Sequence, residues 1–280
     1  MTLFFSSLRE LFSMQFILYA LITGVLVSIC AALLGVSLVL KRYSMIGDGL
    51  SHVAFGSLAV ATALSLAPMK VAIPVVVLSA FLLLRLSERG KLKGDALTAM
   101  ISTGALAVGY LAISLSTGMN IDVSNYLFGS ILTLTKEDVW LSVLLAILVI
   151  PSYILLFNRI FSITFDSAFA KATGLRIELY DTVFAILTAV TVVLGMRFMG
   201  TLLISALIVF PPLTAMRVMK SFRGVVICSA VLPLVSFLSG LILSSVLSTP
   251  PGASVVCVSI LLFFVFSIID MLRRKTGATR

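Results

Sequence analysis

The sequence predicts an all-α, polytopic membrane protein whose helices cross the bilayer about nine times. Of its 280 residues, 60% are hydrophobic and 11% are charged, whereas soluble domains are about half apolar and a quarter charged. The apolar residues form runs of 16–25 residues, close to the roughly 20 that a helix needs to cross about 30 Å of hydrocarbon. We therefore expect residues 1–280 to form a single transmembrane domain, with no separate soluble domain.

Nine apolar segments lie between charged residues and turn signals, and each is long enough for one crossing. They are residues 16–40, 45–66, 71–86, 96–115, 139–157, 180–195, 198–216, 224–246 and 253–271. Eight crossings remain possible, because segments 180–195 and 198–216 meet with almost no connecting loop.

The basic residues predict how the chain is oriented. Sixteen of the 20 Lys and Arg residues follow the first, third, fifth, seventh or ninth segment. Positive charge is retained on the cytoplasmic side during insertion, so the N-terminus is predicted outside and the C-terminus in the cytoplasm. The net charge of +9 is therefore interpreted as an orientation signal beside membrane lipid, and nucleic acid is not an expected partner.

Small residues recur at every fourth position in the first and eighth segments. These residues are Ala20, Gly24, Ser28 and Ala32, and Ser236, Gly240, Ser244 and Ser248. Close approach over small residues drives much of helix association in lipid. The sequence leaves open whether these stripes pack within one chain or against another subunit.

The second segment contains an acid and the only histidine of the chain, Asp48 and His52. Their spacing of four residues places both side chains on one helical face, about 10 and 15 Å inside the cytoplasmic boundary. A charge at this depth costs about 2.5–3.5 kcal/mol and needs partners. The flanking Gly47 and Gly49 are expected to break the helix there, so that carbonyl groups or another backbone can approach.

Several roles fit this pair. Carboxylate and imidazole both bind first-row divalent metals, and a two-fold axis would bring a second pair to complete a site. A structural Asp–His hydrogen bond and a proton relay stay open, as does the choice between an ion-binding site and a gate.

The seventh segment contains Pro211 and Pro212. Two prolines remove two amide donors, so the helix is expected to kink or break. Such breaks are tolerated where protein or a water-filled cavity satisfies the freed carbonyl groups. This pattern favours a helix lining a pathway, although a bent structural helix has the same signature.

Three stretches of the sequence resemble the membrane subunits of bacterial ABC importers for zinc, manganese or iron. Residues 45–52, MIGDGLSH, are similar to that family's G-D-[AG]-[LI]-S-H signature on the second helix. Residues 165–175, FDSAFAKATGL, resemble its cytoplasmic coupling segment. Residues 200–215, GTLLISALIVFPPLTA, resemble its conserved run that begins at a glycine such as Gly200, here with a second proline.

The resemblance implies a permease subunit of the bacterial cytoplasmic (inner) membrane, working as a dimer with a second copy or a paralogue. It implies cytoplasmic ATPase subunits, an extracytoplasmic metal-binding protein, and Asp48 and His52 as the metal-contacting residues. The coupling segment would lie at about residues 158–179, with Asp166, Ala170, Lys171 and Gly174 in its core. The cargo would be Zn²⁺, Mn²⁺ or Fe²⁺, with no permanently bound cofactor.

Two other functions remain as alternatives to an ATP-driven importer. No G-x-x-x-x-G-K-[ST] motif occurs in the chain, so it is not expected to be an enzyme, and energy must come from another subunit or from an ion gradient. A proton-coupled metal transporter would use Asp48 and His52 as proton carriers. An intramembrane aspartyl protease would pair Asp48 with Asp181, but the order and flanking residues of the two motifs fit that class poorly.

Overall fold

A computed structural model describes residues 15–89, 94–116, 128–129 and 134–275. Within these ranges the regular structure is helical. Eleven helices have described bounds: α1 Gln15–Leu40, α2 Ser44–Ala63, α3 Pro68–Arg89, α4 Gly94–Leu115, α5 Lys136–Leu155, α6 Phe157–Phe165, α7 Ser167–Ala172, α8 Ile177–Met199, α9 Thr201–Val218, α10 Phe222–Leu247 and α11 Pro251–Lys275.

Eight of these helices are long and apolar enough to cross a membrane. They confirm a polytopic helical membrane protein. The ninth long helix of the described residues, α2, has 20 residues but is less hydrophobic, because it carries Asp48, His52 and several glycines and serines. It packs against α1, α3, α4, α8 and α9. The surrounding helices therefore shield the polar α2 from lipid on most of its circumference.

Helix α2 approaches α4 very closely where glycines face each other. A methyl group placed on Gly56 would lie 2.3 Å from the carbonyl oxygen of Ala105. One placed on Gly109 would lie 2.7 Å from the Cα atom of Gly56. The two backbones touch because neither glycine has a side chain, which is how small residues join helices in lipid.

The two stripes of small residues pack within the chain. A Cβ atom on Gly24 would overlap the ring of Phe237 on α10, at 1.9 Å from its Cζ atom. A Cβ atom on Gly240 would lie 2.5 Å from the Cα atom of Val255 on α11. Of the two possibilities that the sequence leaves open, the structure favours packing inside one bundle.

Helix α9 is continuous through Pro211 and Pro212, so of the predicted kink or break, the break does not occur. The second proline removes the amide that would bond to the carbonyl of Ile208. That carbonyl oxygen lies against α1, where a Cβ atom on Gly35 would be 2.0 Å away. The close approach of α1 covers the freed carbonyl and lets the helix persist.

Two ion pairs mark opposite ends of α8. Near its start, the Asp181 carboxylate accepts a hydrogen bond of 2.7 Å from Lys41. Lys41 lies in the connection between α1 and α2. Near its end, Arg197 lies 3.1 Å from the buried carboxylate of Asp138 in the first turn of α5.

After α8 the chain turns at Gly200, whose φ of 84° suits glycine. The turn follows Met199, four residues later than the predicted segment end at residue 195.

The contact between α2 and α4 predicts unequal effects of two alanine substitutions. Gly56→Ala should lower the stability of the purified protein by about 1–3 kcal/mol, because the added methyl group has no room. Gly104→Ala is the matched control, since nothing lies within 4 Å of its Cβ position, and it should be neutral or slightly stabilising. Thermal unfolding in detergent measures both, and equal midpoints would contradict the described packing.

Candidate functional site

Asp48 and His52 form an open stripe on an otherwise buried helix. The Nε2 atom of His52 lies 3.6 Å from the Oδ2 atom of Asp48, which is longer than a hydrogen bond. The Asp48 side chain is 44% exposed and the His52 side chain 24% exposed. Most other residues of α2 are buried. The structure therefore brings the two predicted metal ligands together on a partly open side of α2.

The imidazole of His52 is only partly satisfied. Its Nδ1 atom is buried and has no hydrogen-bond partner among the described residues. A buried polar atom without a partner costs about 1–3 kcal/mol, and such atoms often mark functional sites. This observation argues against the interpretation of Asp48 and His52 as a closed, purely structural hydrogen-bonded pair.

Gly47 and Gly49 do not break the helix, because α2 runs unbroken from Ser44 to Ala63. They instead let neighbouring side chains approach beside the acid. A Cβ atom on Gly47 would lie 3.0 Å from side-chain atoms of Ile208 on α9, and one on Gly49 would lie 2.3 Å from the Cγ2 atom of Thr98 on α4. The predicted opening of the helix is wrong, and the nearest neighbours are side chains rather than the predicted carbonyl groups or backbone.

Two serines connect Asp48 to α9. The Ser51 hydroxyl donates to the backbone carbonyl of Asp48 at 2.7 Å and lies 3.0 Å from the hydroxyl of Ser205. Sequence reasoning missed both serines, because a helical serine can always bond to a carbonyl of its own helix, as Ser205 does with Thr201 at 2.9 Å. Ser51 is the serine of the motif at residues 45–52, which was the available signal for it, whereas Ser205 has none.

The residue of α9 that lies next to the Asp48–His52 stripe is Ser205, and not either of the prolines. Leu202, Ser205 and Val209 are incompletely buried and follow one another at helical spacing, whereas Pro211 and Pro212 are buried. The prediction that α9 lines a pathway remains a prediction. Its residues nearest the open stripe are those of the Ser205 face, and Gly200 serves as the turn before the helix.

The described residues bring together only two candidate metal ligands. Among the residues that the structure describes, no group of three or more His, Cys, Asp and Glu side chains is placed to hold a metal ion. Asp48 and His52 together offer one carboxylate and one imidazole.

The predicted coupling segment contains two short helices, α6 and α7. The Asp166 carboxylate caps α7 by accepting from the amide of Phe169 at 2.8 Å, as N-cap acids do. After the helix the chain turns at Gly174, with φ of 84°. Lys171 and Phe169 are exposed, whereas Ala170 is completely buried. Ala170 therefore anchors α7 to the bundle and does not face a partner.

An open groove of about 1240 Å³ lies beside α7. It is bounded by the α1–α2 connection, the end of α6 and the start of α8. Four basic side chains line it, namely Lys41, Arg42, Lys171 and Arg176. The α1–α2 connection and the coupling segment thus share one end of the bundle, as the alternation of basic residues predicts.

The profile of the ABC 3 transport family matches residues 13–270. The chain belongs to this family. Membership confirms the resemblance drawn from the sequence motifs and identifies a multi-pass protein of the bacterial inner membrane. The short helices α6 and α7 and the site on α2 all lie within the matched range.

Named relatives and a solved structure support the assignment to the ABC 3 family. The zinc uptake membrane protein ZnuB of Haemophilus influenzae is 30% identical over 244 residues, covering 87% of this chain and 94% of that protein. The manganese import permease ScaB of Streptococcus gordonii is 27% identical over 258 residues, covering 92% of each. The structure of PsaBC from Streptococcus pneumoniae in complex with Fab superimposes with a TM-score of 0.82 at 25% identity, covering 92% of this chain and 93% of that chain.

The positions of Asp48 and Asp181 argue against the protease alternative. An aspartyl protease needs two carboxylates close enough to share a proton. Asp181 instead forms an ion pair with Lys41 near the start of α8, while Asp48 lies beside His52 and Ser205. The two acids are engaged with different partners.

Proposed function

We propose that this chain is the membrane subunit of an ATP-driven importer for a divalent transition-metal ion. The observation that carries the proposal is the open Asp48–His52 stripe on α2, with one imidazole nitrogen buried and unpartnered. Relatives of similar length are named for zinc uptake and for manganese import. Zn²⁺, Mn²⁺ and Fe²⁺ all accept carboxylate and imidazole ligands.

A second membrane subunit completes the site in this proposal. If two copies meet over the open stripes of α2, two carboxylates and two imidazoles surround one ion on the two-fold axis. A paralogue carrying the same pair can take the place of the second copy. The ion then bridges the subunits, and the charge of Asp48 is balanced at a depth where an isolated charge is expensive.

The site described here suits passage better than storage. Ions must leave a transport site as readily as they enter it, and a site whose ligands come half from each subunit weakens when the subunits separate. Reorientation of the two bundles can therefore open the site to one side and then to the other. We place the energy source in cytoplasmic ATPase subunits, and an extracytoplasmic metal-binding protein delivers the ion.

The ATPase is expected to bind the end of the bundle that carries α7. Exposed Phe169 and Lys171 would contact the ATPase, while buried Ala170 and the Asp166 cap hold the segment in shape. An aromatic side chain and a cation on one short helix provide both contact area and charge complementarity for a partner surface.

Neutral variants of the proposed metal ligands test the importer. Asp48→Asn and His52→Gln should each reduce metal uptake by more than about tenfold, because losing a ligand costs more than losing the groups that orient it. Uptake is measured in proteoliposomes holding the complete transporter, with ATP hydrolysis and an uncoupler control measured in parallel. Basal ATP hydrolysis should persist, and uptake should be insensitive to the uncoupler.

Asp270→Asn is the matched control for the metal-ligand variants. The Asp270 carboxylate lies 3.0 Å from the Arg274 guanidinium near the end of α11, and no role in metal binding is proposed for it. The variant should transport normally. Normal uptake by Asp48→Asn or His52→Gln would overturn the metal-site proposal, and uptake that collapses with the proton gradient would favour the proton-coupled alternative.

A double variant of α7 tests the proposed ATPase contact. Phe169→Ala combined with Lys171→Glu should reduce copurification of the ATPase severalfold, because both exposed contacts of α7 are lost while Ala170 and the Asp166 cap remain. Lys275→Glu reverses an exposed charge at the end of α11, on the same predicted side, and should leave copurification unchanged. Equal ATPase recovery with both proteins would show that α7 is not the docking segment.

A further inference from the structure

Ser205 lies where α9 crosses α2, beside the Asp48–His52 stripe. Its hydroxyl oxygen is 3.0 Å from that of Ser51, which follows Asp48 by three residues on α2. It is half-buried, on the side of α9 that also carries Leu202 and Val209. The proposed function, which assigns the ion to Asp48 and His52, gives Ser205 no role.

The hydrogen bonds around Ser205 leave lone pairs of its oxygen available to bind a cation. A serine hydroxyl has one proton and two lone pairs. The Ser51 proton is directed at the Asp48 carbonyl, at 2.7 Å. The Ser205 proton can be directed at the Thr201 carbonyl, at 2.9 Å. In that arrangement the lone pairs of Ser205 are free to face a cation held by the adjacent carboxylate.

We propose that Ser205 supplies a third donor from each chain to the transported ion. This inference rests on the proposed function. Together with Asp48 and His52, two copies then offer four oxygen and two nitrogen donors. Six-coordinate, oxygen-rich sites suit Mn²⁺, whereas Zn²⁺ prefers four ligands. Ser205 is therefore a specificity-determining residue that favours Mn²⁺ over Zn²⁺.

A thiol at position 205 tests contact with the ion directly. The purified transporter, with its ATPase subunits, is titrated with Co²⁺ and followed by absorption spectroscopy. Ser205→Cys should add a thiolate-to-cobalt charge-transfer band that the wild-type protein, with its own three cysteines, does not show. The band should disappear when Asp48→Asn is added, since the ion is then no longer held beside the thiol.

Ser239→Cys is the matched control for the thiol experiment. Like Ser205, Ser239 bonds to the carbonyl four residues earlier in its own helix, but it lies on α10, away from the stripe. It should produce no charge-transfer band. A band of equal strength from both variants, or from neither, would overturn the assignment of Ser205.

Ion selectivity provides a second readout that does not depend on the cysteine variant. Ser205→Ala should weaken Mn²⁺ binding by roughly tenfold and Zn²⁺ binding much less, and Ser205→Thr should restore the wild-type ratio because it keeps the hydroxyl. Equal loss for both ions would make Ser205 a packing residue only.

The Asp48→Asn variant separates the two proposals. If the Asp48→Asn variant binds Co²⁺ and Mn²⁺ as the wild-type protein does, the proposed metal site on α2 is wrong, and so is the proposed role of Ser205. If it abolishes binding while Ser205→Ala and Ser205→Cys behave as wild type, only the assignment of Ser205 is wrong.

Discussion

The need to keep a carboxylate and an imidazole inside a bilayer organises this bundle. Helix α2, the one long helix of the described residues that is not apolar enough to count among the eight candidate membrane spans, carries both groups. Glycines at three positions let α4 and α9 close around it, so that lipid is excluded from all but one stripe. That stripe presents Asp48 and His52. The polarity that makes α2 costly to place in lipid is thus concentrated on the face where a partner is expected.

The supporting contacts show how the chain holds α2 in place. On one side, Thr98 fills the space beside Gly49, and on the other, Ile208 lies against Gly47. The same Ile208 places the carbonyl freed by Pro212 against Gly35 of α1. Helix α9 therefore connects α1 to the site helix through one residue. A movement of α9 would change both contacts, and the contact at Gly47 lies next to Asp48.

Much of the fold could be predicted from the sequence, because hydrophobic length and the distribution of basic residues are local properties. The predicted segments and the described long helices differ mainly at their ends, as at residue 195 and Met199. Asp48 and His52 were identifiable because ionisable residues are rare in apolar runs. What the sequence could not show depends on neighbours. The helices stay unbroken at Gly47, Gly49, Pro211 and Pro212 because packing partners compensate for weak local propensity.

Burial and hydrogen bonding across helices were equally beyond sequence reasoning. Ala170 was predicted to belong to the coupling segment, but its burial could not be predicted, since a six-residue helix gives too short a pattern to identify its inner face. Ser51 stood out only as the serine of the motif at residues 45–52 and Ser205 not at all, because their hydroxyls satisfy local carbonyls whether or not another helix is near. Only the crossing of α2 and α9 places them beside Asp48.

The most direct test of the account is the number of ions bound for each membrane subunit. Equilibrium dialysis of the purified, nucleotide-free transporter against Mn²⁺ measures that ratio, with the Asp48→Asn protein as background. A site shared by two chains predicts one Asp48-dependent ion for every two membrane subunits. One ion for each subunit, or no difference from the Asp48→Asn background, would contradict it.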